Sequence, residues 1–106
     1  MNKTLQLMGL ARRAGKLVAG RDAVLDAVKK NQTTLILLTS DASARHRREL
    51  ENAGCKCETA TLSCDMQTAG AATGKKSCIF ALTDAGFAAA VTKTINEEEA
   101  HYGSKV

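Results

Sequence analysis

The sequence predicts an α/β protein, a single domain built as a three-layer α/β/α sandwich around a small mixed sheet. Three observations predict it. Short apolar runs alternate with segments of helical period along the whole chain. A length of 106 residues suffices for one core and leaves no room for two. The strongest strand, residues 33–39 (TTLILLT), is apolar at four successive positions, so helices must cover both its faces.

The elements follow in order. Thr4 caps a first helix running to about residue 14, with Leu7, Leu10, Ala11 and Ala14 on one face, and Gly15 ends it. Residues 16–19 (KLVA) form a short strand. Gly20 then turns directly into a helix reaching about Lys30, on which Val24, Ala27 and Val28 share a face beside Leu25. Lys29 and Lys30 suit the negative C-terminal end of that helix. After the central strand, Ser40 or Asp41 caps a helix through Arg48 and Leu50 to a stop at Gly54. Residues 55–61 read as a weaker strand, and Ser63 or Asp65 opens a short Ala- and Gly-rich helix ending near Gly74. Residues 77–82 form the last strand, and Thr83 or Asp84 caps a final helix to about Ile95. The domain therefore spans residues 1–96, followed by a polar, frayed tail at 97–106. The helix-first order and small size argue against a doubly wound nucleotide fold.

Composition excludes several function classes. There is no Trp, and Phe80 and Phe87 lie in apolar runs, which leaves Tyr102 as the one other aromatic residue. A surface that stacks single-stranded bases on several rings is therefore excluded. Charge is distributed unevenly. Residues 1–48 carry ten Lys or Arg against three acids, a net +7, and the rest carries five against eight, a net −3. Such asymmetry is either the footprint of a polyanion partner or a solubilising surface. The start lacks the apolar core of a secretory signal, and no stretch approaches the ~20 apolar residues of a membrane span. The expectation is a cytoplasmic chain without membrane contact, in which Cys55, Cys57, Cys64 and Cys78 are free thiols. Their spacing lacks paired C-x-x-C units, and His46 and His101 fall in no ligand register, so no metal and no cofactor is expected.

Three places carry candidate chemistry. Gly15 and Gly20 bracket a very short strand, and the helix beginning after Gly20 offers unpaired first-turn N–H groups to an anion, with Lys16 and Arg21 beside them. Asp22 can cap that turn and compete with the anion; an ordinary strand-to-helix turn is the other reading. Thr73-Gly74-Lys75-Lys76 forms a second basic turn that the sandwich can bring to the same end, or else a solvated loop. Residues 44–48 (ARHRR) offer backbone contacts to RNA or a solvated helix face. Catalytic constellations are thin. Residues 70–77 (GAATGKKS) have the wrong spacing for a phosphate loop and precede a strand, no GxGxxG occurs, and no Cys/His or Ser/His pair is evident. An enzyme is not expected.

With its segments GLARRAGKLVAGRDAVLDAVKK, TLILLTSDAS and TDAGFAAAV in order, the chain resembles, from about residue 5 to 91, the kink-turn RNA-binding ribosomal protein superfamily (archaeal large-subunit protein seven-Ae type), in its bacterial YlxQ-like branch. GLARRAGKLVAG and TDAGFA are the most specific pieces. The resemblance implies an α/β/α sandwich and binding to RNA bent sharply at tandem sheared G·A pairs. In that family a G-x-N-E-x-x-K turn starts the helix that enters the RNA groove. Here the glycine is Gly20, and Asp22, Ala23 and Asp26 stand at the Asn, Glu and Lys positions. Lys16 matches a phosphate-facing lysine, and residues 71–76 match an apolar loop that covers flipped-out bases. The resemblance thus implies a non-enzymatic, ribosome-associated, monomeric binder of structured RNA, contacting it through Lys16, Gly20, Arg21, Asp22, Thr73, Gly74, Lys75 and Lys76. A protein–protein adaptor that has lost tight RNA binding is the alternative, because an acid replaces both the amide and the lysine of the turn. A small nucleotide-binding enzyme is a third reading and requires a phosphate compound at Gly20.

Overall fold

Nine elements follow one another in the computed structural model, which describes residues 3–103. They are α1 (Lys3–Arg13), β1 (Leu17–Ala19), α2 (Arg21–Lys29), β2 (Leu35–Leu38), α3 (Ala44–Asn52), β3 (Glu58–Thr61), α4 (Met66–Thr73), β4 (Ile79–Leu82) and α5 (Ala85–Gly103). The strands form one sheet in the order β1-β4-β2-β3. β2 and β3 run parallel, whereas β4 inserts antiparallel to both β1 and β2. This is the mixed sheet expected.

Alternation along the strands assigns the core to two faces. Leu17, Leu35, Leu37, Phe80 and Leu82 pack with Leu5, Met8, Ala69 and Val91, under α1, α4 and α5. Ile36, Leu38, Ile79 and Ala81 pack with Val24, Val28 and Leu50, under α2 and α3. All four residues of β2 and of β4 are buried, which explains their unbroken apolar runs. The Cα radius of gyration, 12.8 Å, matches the ~13 Å of one domain of about 100 residues.

Four local expectations are corrected. α1 buries Thr4, Leu5, Met8 and Ala11, while Leu10 is 48 % exposed and Ala14 lies past the helix end. The buried stripe is rotated because Thr4 is not a cap. Its hydroxyl lies inside, 2.7 Å from the Thr94 hydroxyl of α5, and that bond satisfies both polar groups in the core. α3 starts after Ser43 rather than at Ser40 or Asp41. Asp41 is diverted: its Oδ1 accepts from the Thr39 hydroxyl at 2.6 Å and from the Met66 N–H at 3.1 Å. β3 begins at Glu58, three residues late, because residues 55–57 finish the turn out of α3. α5 continues past Ile95 to Gly103, since the glutamates and Ala100 are good helix formers and nothing breaks the helix before Gly103. Much of the expected tail is thus helical, and its residues 104–106 lie outside the described residues.

Candidate nucleic-acid interface

Topology gathers four loops at one end of the sheet. The C-terminal ends of β1, β2 and β3 meet the N-terminal end of β4 there. The Gly20 N–H donates to the Ile79 carbonyl at 3.1 Å, Thr39 N–H to Cys78 at 3.0 Å, and Ser40 N–H to Cys64 at 2.8 Å. α2, α3 and α4 all open at this end.

Their N-termini differ in capping: neither α2, after Gly20, nor α3, after Ser43, has a side-chain cap, whereas α4 has one. α4 is capped by Asp65, whose carboxylate accepts from the Thr68 N–H at 2.9 Å. That bond holds the Asp65 carboxyl below its usual range. α2 follows Gly20 with no side-chain cap. Its first helical bond is Val24 N–H to the Gly20 carbonyl at 2.9 Å, so the preceding amides of the first turn have no intrahelical acceptor. Gly20 itself sits at φ 101°, ψ 145°, a region essentially reserved for glycine. A Cβ there would lie 3.8 Å from Lys75 Cε, so the Lys75 side chain passes over the turn. The two basic turns do meet, as the sandwich allowed.

The second turn is held from inside. Gly74, at φ 83°, closes α4 with its N–H on the Gly70 carbonyl. Thr73 is buried, its hydroxyl donating to the Ala69 carbonyl at 2.9 Å and lying 3.2 Å from that of Lys75. Thr73 therefore fixes the loop, with its side chain engaged inward. A Cβ on Gly70 would lie 2.9 Å from Lys76 Cα, so the loop rests directly on the helix. Lys75 and Lys76 stay exposed.

The other expected cations are placed differently. Arg21 is already occupied: its Nε donates to both Glu49 oxygens at 3.0 and 2.8 Å, Nη2 contacts Glu49 as well, and Nη1 donates to Asp22 at 2.8 Å. The bond from Arg21 holds the Glu49 carboxyl below its usual range. Asp22 is thus drawn away from the helix start, and its side chain is 94 % exposed. Asp26 pairs with Lys30 at 3.0 Å. Lys16 stands at the opposite end of β1, where its carbonyl accepts from the Thr83 N–H at 3.0 Å. Four residues of extended chain put its backbone about 13 Å from Gly20. It belongs with Arg12 and Arg13 around the turn that closes α1, where Gly15 N–H donates to Arg12 and Lys16 N–H to Ala11.

Two groups escaped the sequence. Glu49, 28 residues from Arg21, had no local signal for that pairing. His46 falls in no ligand register and offers no evident Cys pair in sequence, yet its Nε2 lies 3.4 Å from Cys78 Sγ, and Nδ1 lies 3.3 Å from the Ser43 hydroxyl. Burial, with the Asp41 charge adding to it, pushes the Cys78 thiol up. Among the described residues no group of three or more His, Cys, Asp or Glu could hold a metal ion, and no helix is long and apolar enough to cross a membrane. In the ARHRR run, Arg45 lies 3.8 Å from Glu49, Arg47 donates to the Thr61 hydroxyl at 2.7 Å, and Arg48 is exposed.

Comparison with known proteins gives the following. The model of the ribosomal protein L7Ae/L30e/S12e/Gadd45 family matches residues 2–92. The RNA-binding protein YlxQ of Bacillus subtilis (strain 168) is 33 % identical over 87 residues, covering 77 % of this chain and 84 % of that protein. A solved protein of unknown function from Bacillus halodurans C superposes with a TM-score of 0.81 at 31 % identity, covering 91 % of this chain and 99 % of that one. The Giardia lamblia 15.5kD RNA binding protein has a TM-score of 0.66 at 14 % identity, over 91 % and 84 % of the two chains, and shares the fold.

Proposed function

The chain belongs to the ribosomal protein L7Ae/L30e/S12e/Gadd45 family, and on that premise we propose that it binds structured RNA, without catalysis, through the Gly20 end of its sandwich. One observation carries the reading: α2 opens uncapped at Gly20 directly beneath the Lys75 side chain. Unpaired amides, the positive end of a helix dipole and an exposed ammonium together form an anion site fitted to a phosphate backbone. Gly74 and Thr73 hold the loop, Lys75 and Lys76 supply charge, and Arg21 and Asp22 sit at its margin as an ion pair. Lys16 contacts RNA in this reading only where the RNA extends along β1 to its far end. The names of the Bacillus subtilis and Giardia lamblia relatives support an RNA partner. The finer reading is a kink-turn, bound by a cytoplasmic, monomeric, ribosome-associated protein.

The test is a calorimetric titration with a kink-turn hairpin beside the same hairpin stripped of its G·A pairs. Tighter binding to the intact hairpin is expected. Equal affinity reduces the reading to general attraction for RNA. The neutralisation of Arg21 by Glu49 and Asp22 favours a second reading, a protein–protein adaptor. A partner that co-purifies undiminished after ribonuclease treatment distinguishes it.

A further inference from the structure

A pair of sulfurs lies in the segment leading from α3 into β3, and RNA binding makes no use of it. The turn before it is closed on both sides. Gly54, at φ 83°, donates its N–H to the Glu51 carbonyl at 3.0 Å, and the Cys55 N–H reaches back to Leu50 at 3.0 Å. These are the two bonds of a Schellman closure, and they fix the Cys55 backbone. Cys57 is held from the other side, its Sγ 3.4 Å from the Thr33 hydroxyl. The two sulfurs consequently stand 3.6 Å apart. Both residues are half-buried, and both line one surface cavity of about 200 Å³ with Arg47, Leu50, Glu51 and Thr59. That volume exceeds several-fold the ~30 Å³ share of a water molecule, so a small oxidant fits beside the thiols.

We propose that Cys55 and Cys57 form a modification site, a dithiol that hydrogen peroxide oxidises to an intramolecular disulfide. Burial and the adjacent Cys57 push the Cys55 thiol up, so the Cys57 sulfur attacks first: as thiolate it takes one oxygen of hydrogen peroxide, the O–O bond breaks, and the departing hydroxide leaves as water with the thiol's proton, giving a sulfenic acid. The second thiolate attacks that sulfur, the S–O bond breaks, and a second water leaves. Two thiols have lost two electrons, and the peroxide has been reduced to two waters. A disulfide bond of about 2.05 Å requires the sulfurs to close by roughly 1.5 Å. Residues 55–57 lie outside the strand ladder, which begins at Glu58, so side-chain rotation and a small backbone shift cost no sheet bonds.

Lys56 makes the test direct. The reduced full-length protein is treated with hydrogen peroxide and digested with trypsin without reductant, which cuts after Lys56 and separates residues 49–56 from residues 57–75. In the expected result these two peptides stay joined, about 2 Da lighter than their sum, and part with dithiothreitol. The link persists in Cys64→Ser and Cys78→Ser and is lost in Cys57→Ser. Because the wild-type digest locates the bond by itself, a variant that folds poorly does not undo the test. Oxygen adducts on separate peptides, a link that needs Cys64, dimers between chains, or no reaction at peroxide levels that oxidise free glutathione would each overturn the proposal.

Discussion

Glu49→Gln should strengthen RNA binding, although the sequence did not single out Glu49. Around the start of α2 the carboxylates of Asp22 and Glu49 both engage Arg21, so the trio carries a net negative charge where phosphate is to approach. Gln keeps the shape and removes one charge. Each cation that gains a phosphate steepens the dependence of log K on log salt by about 0.7–0.9. Arg21, left with Asp22 alone, therefore adds up to one such step, and Arg45, 3.8 Å from the same carboxylate, adds as much again if it turns to the RNA. Lys75→Ala with Lys76→Ala should remove two steps, about 1.4–1.8. Arg21→Ala in the native background should change the slope by less than one, because that charge is already neutralised. Fluorescence anisotropy with a folded hairpin between about 50 and 200 mM KCl reads all three slopes. A Glu49→Gln protein with an unchanged or shallower slope and a native melting curve would show that Arg21 does not face the RNA, and the placement of the interface would fail.

Further outcomes follow from the turns and caps. Gly20→Ala forces a Cβ residue to φ 101°, ψ 145°, at about 1–3 kcal/mol. Each kcal/mol lowers the melting midpoint of a domain this size by roughly 4–8 °C. An unchanged midpoint in calorimetry would mean the turn relaxes. Gly70→Ala drives a methyl against Lys76 Cα and should weaken RNA binding more than it lowers the melting midpoint, because the Lys75-Lys76 loop moves while the core stays. Equal RNA affinity would remove that loop from the interface. Asp65 and Glu49 have folded pKa values below their unfolded ones, so the stability they contribute is present above the ordinary carboxylate range near pH 4 and lost as pH falls through the folded values. Urea midpoints measured from pH 6 to about pH 2.5 should fall, and Asp65→Ala should flatten that fall.

How far the sequence revealed the fold depended on whether a signal was local. The Leu35–Leu38 run announced a doubly covered strand because four consecutive buried positions admit no other geometry in a sheet. The glycines at 15, 20, 54 and 74 marked element ends because each takes a positive φ that side chains avoid. Thr4 misled, since whether a threonine caps a helix or bonds inward depends on Thr94, 90 residues away. Asp41 misled in the same way, being claimed by Met66. In the candidate site, Gly20 and Lys75 were visible separately. Their juxtaposition followed only once β4 was known to lie antiparallel beside β1.

Charge counted along the chain is a poorer guide to the proposed interface than the hydrogen bonds are. The basic portion, residues 1–48, does not deliver its excess to the Gly20 end. Arg12, Arg13 and Lys16 surround the α1 turn at the other end of β1, Lys30 is paired with Asp26, and Arg21 is held by two carboxylates. Among the described residues, the cation over the Gly20 turn is Lys75, followed in the same loop by exposed Lys76, and both come from the portion with net negative charge. What distinguishes this end is therefore geometric. A glycine-only conformation leaves a helix start open, and Gly70 lets a two-lysine loop lie close enough to cover it. A surface made of backbone amides and loop lysines reads the path of a phosphate backbone rather than base edges. It follows that specificity for a bent RNA, where it exists in this chain, rests on shape. Asp22, Ala23 and Asp26 can then replace polar and basic groups of the turn without abolishing binding, provided that Gly20 and Gly70 remain glycine.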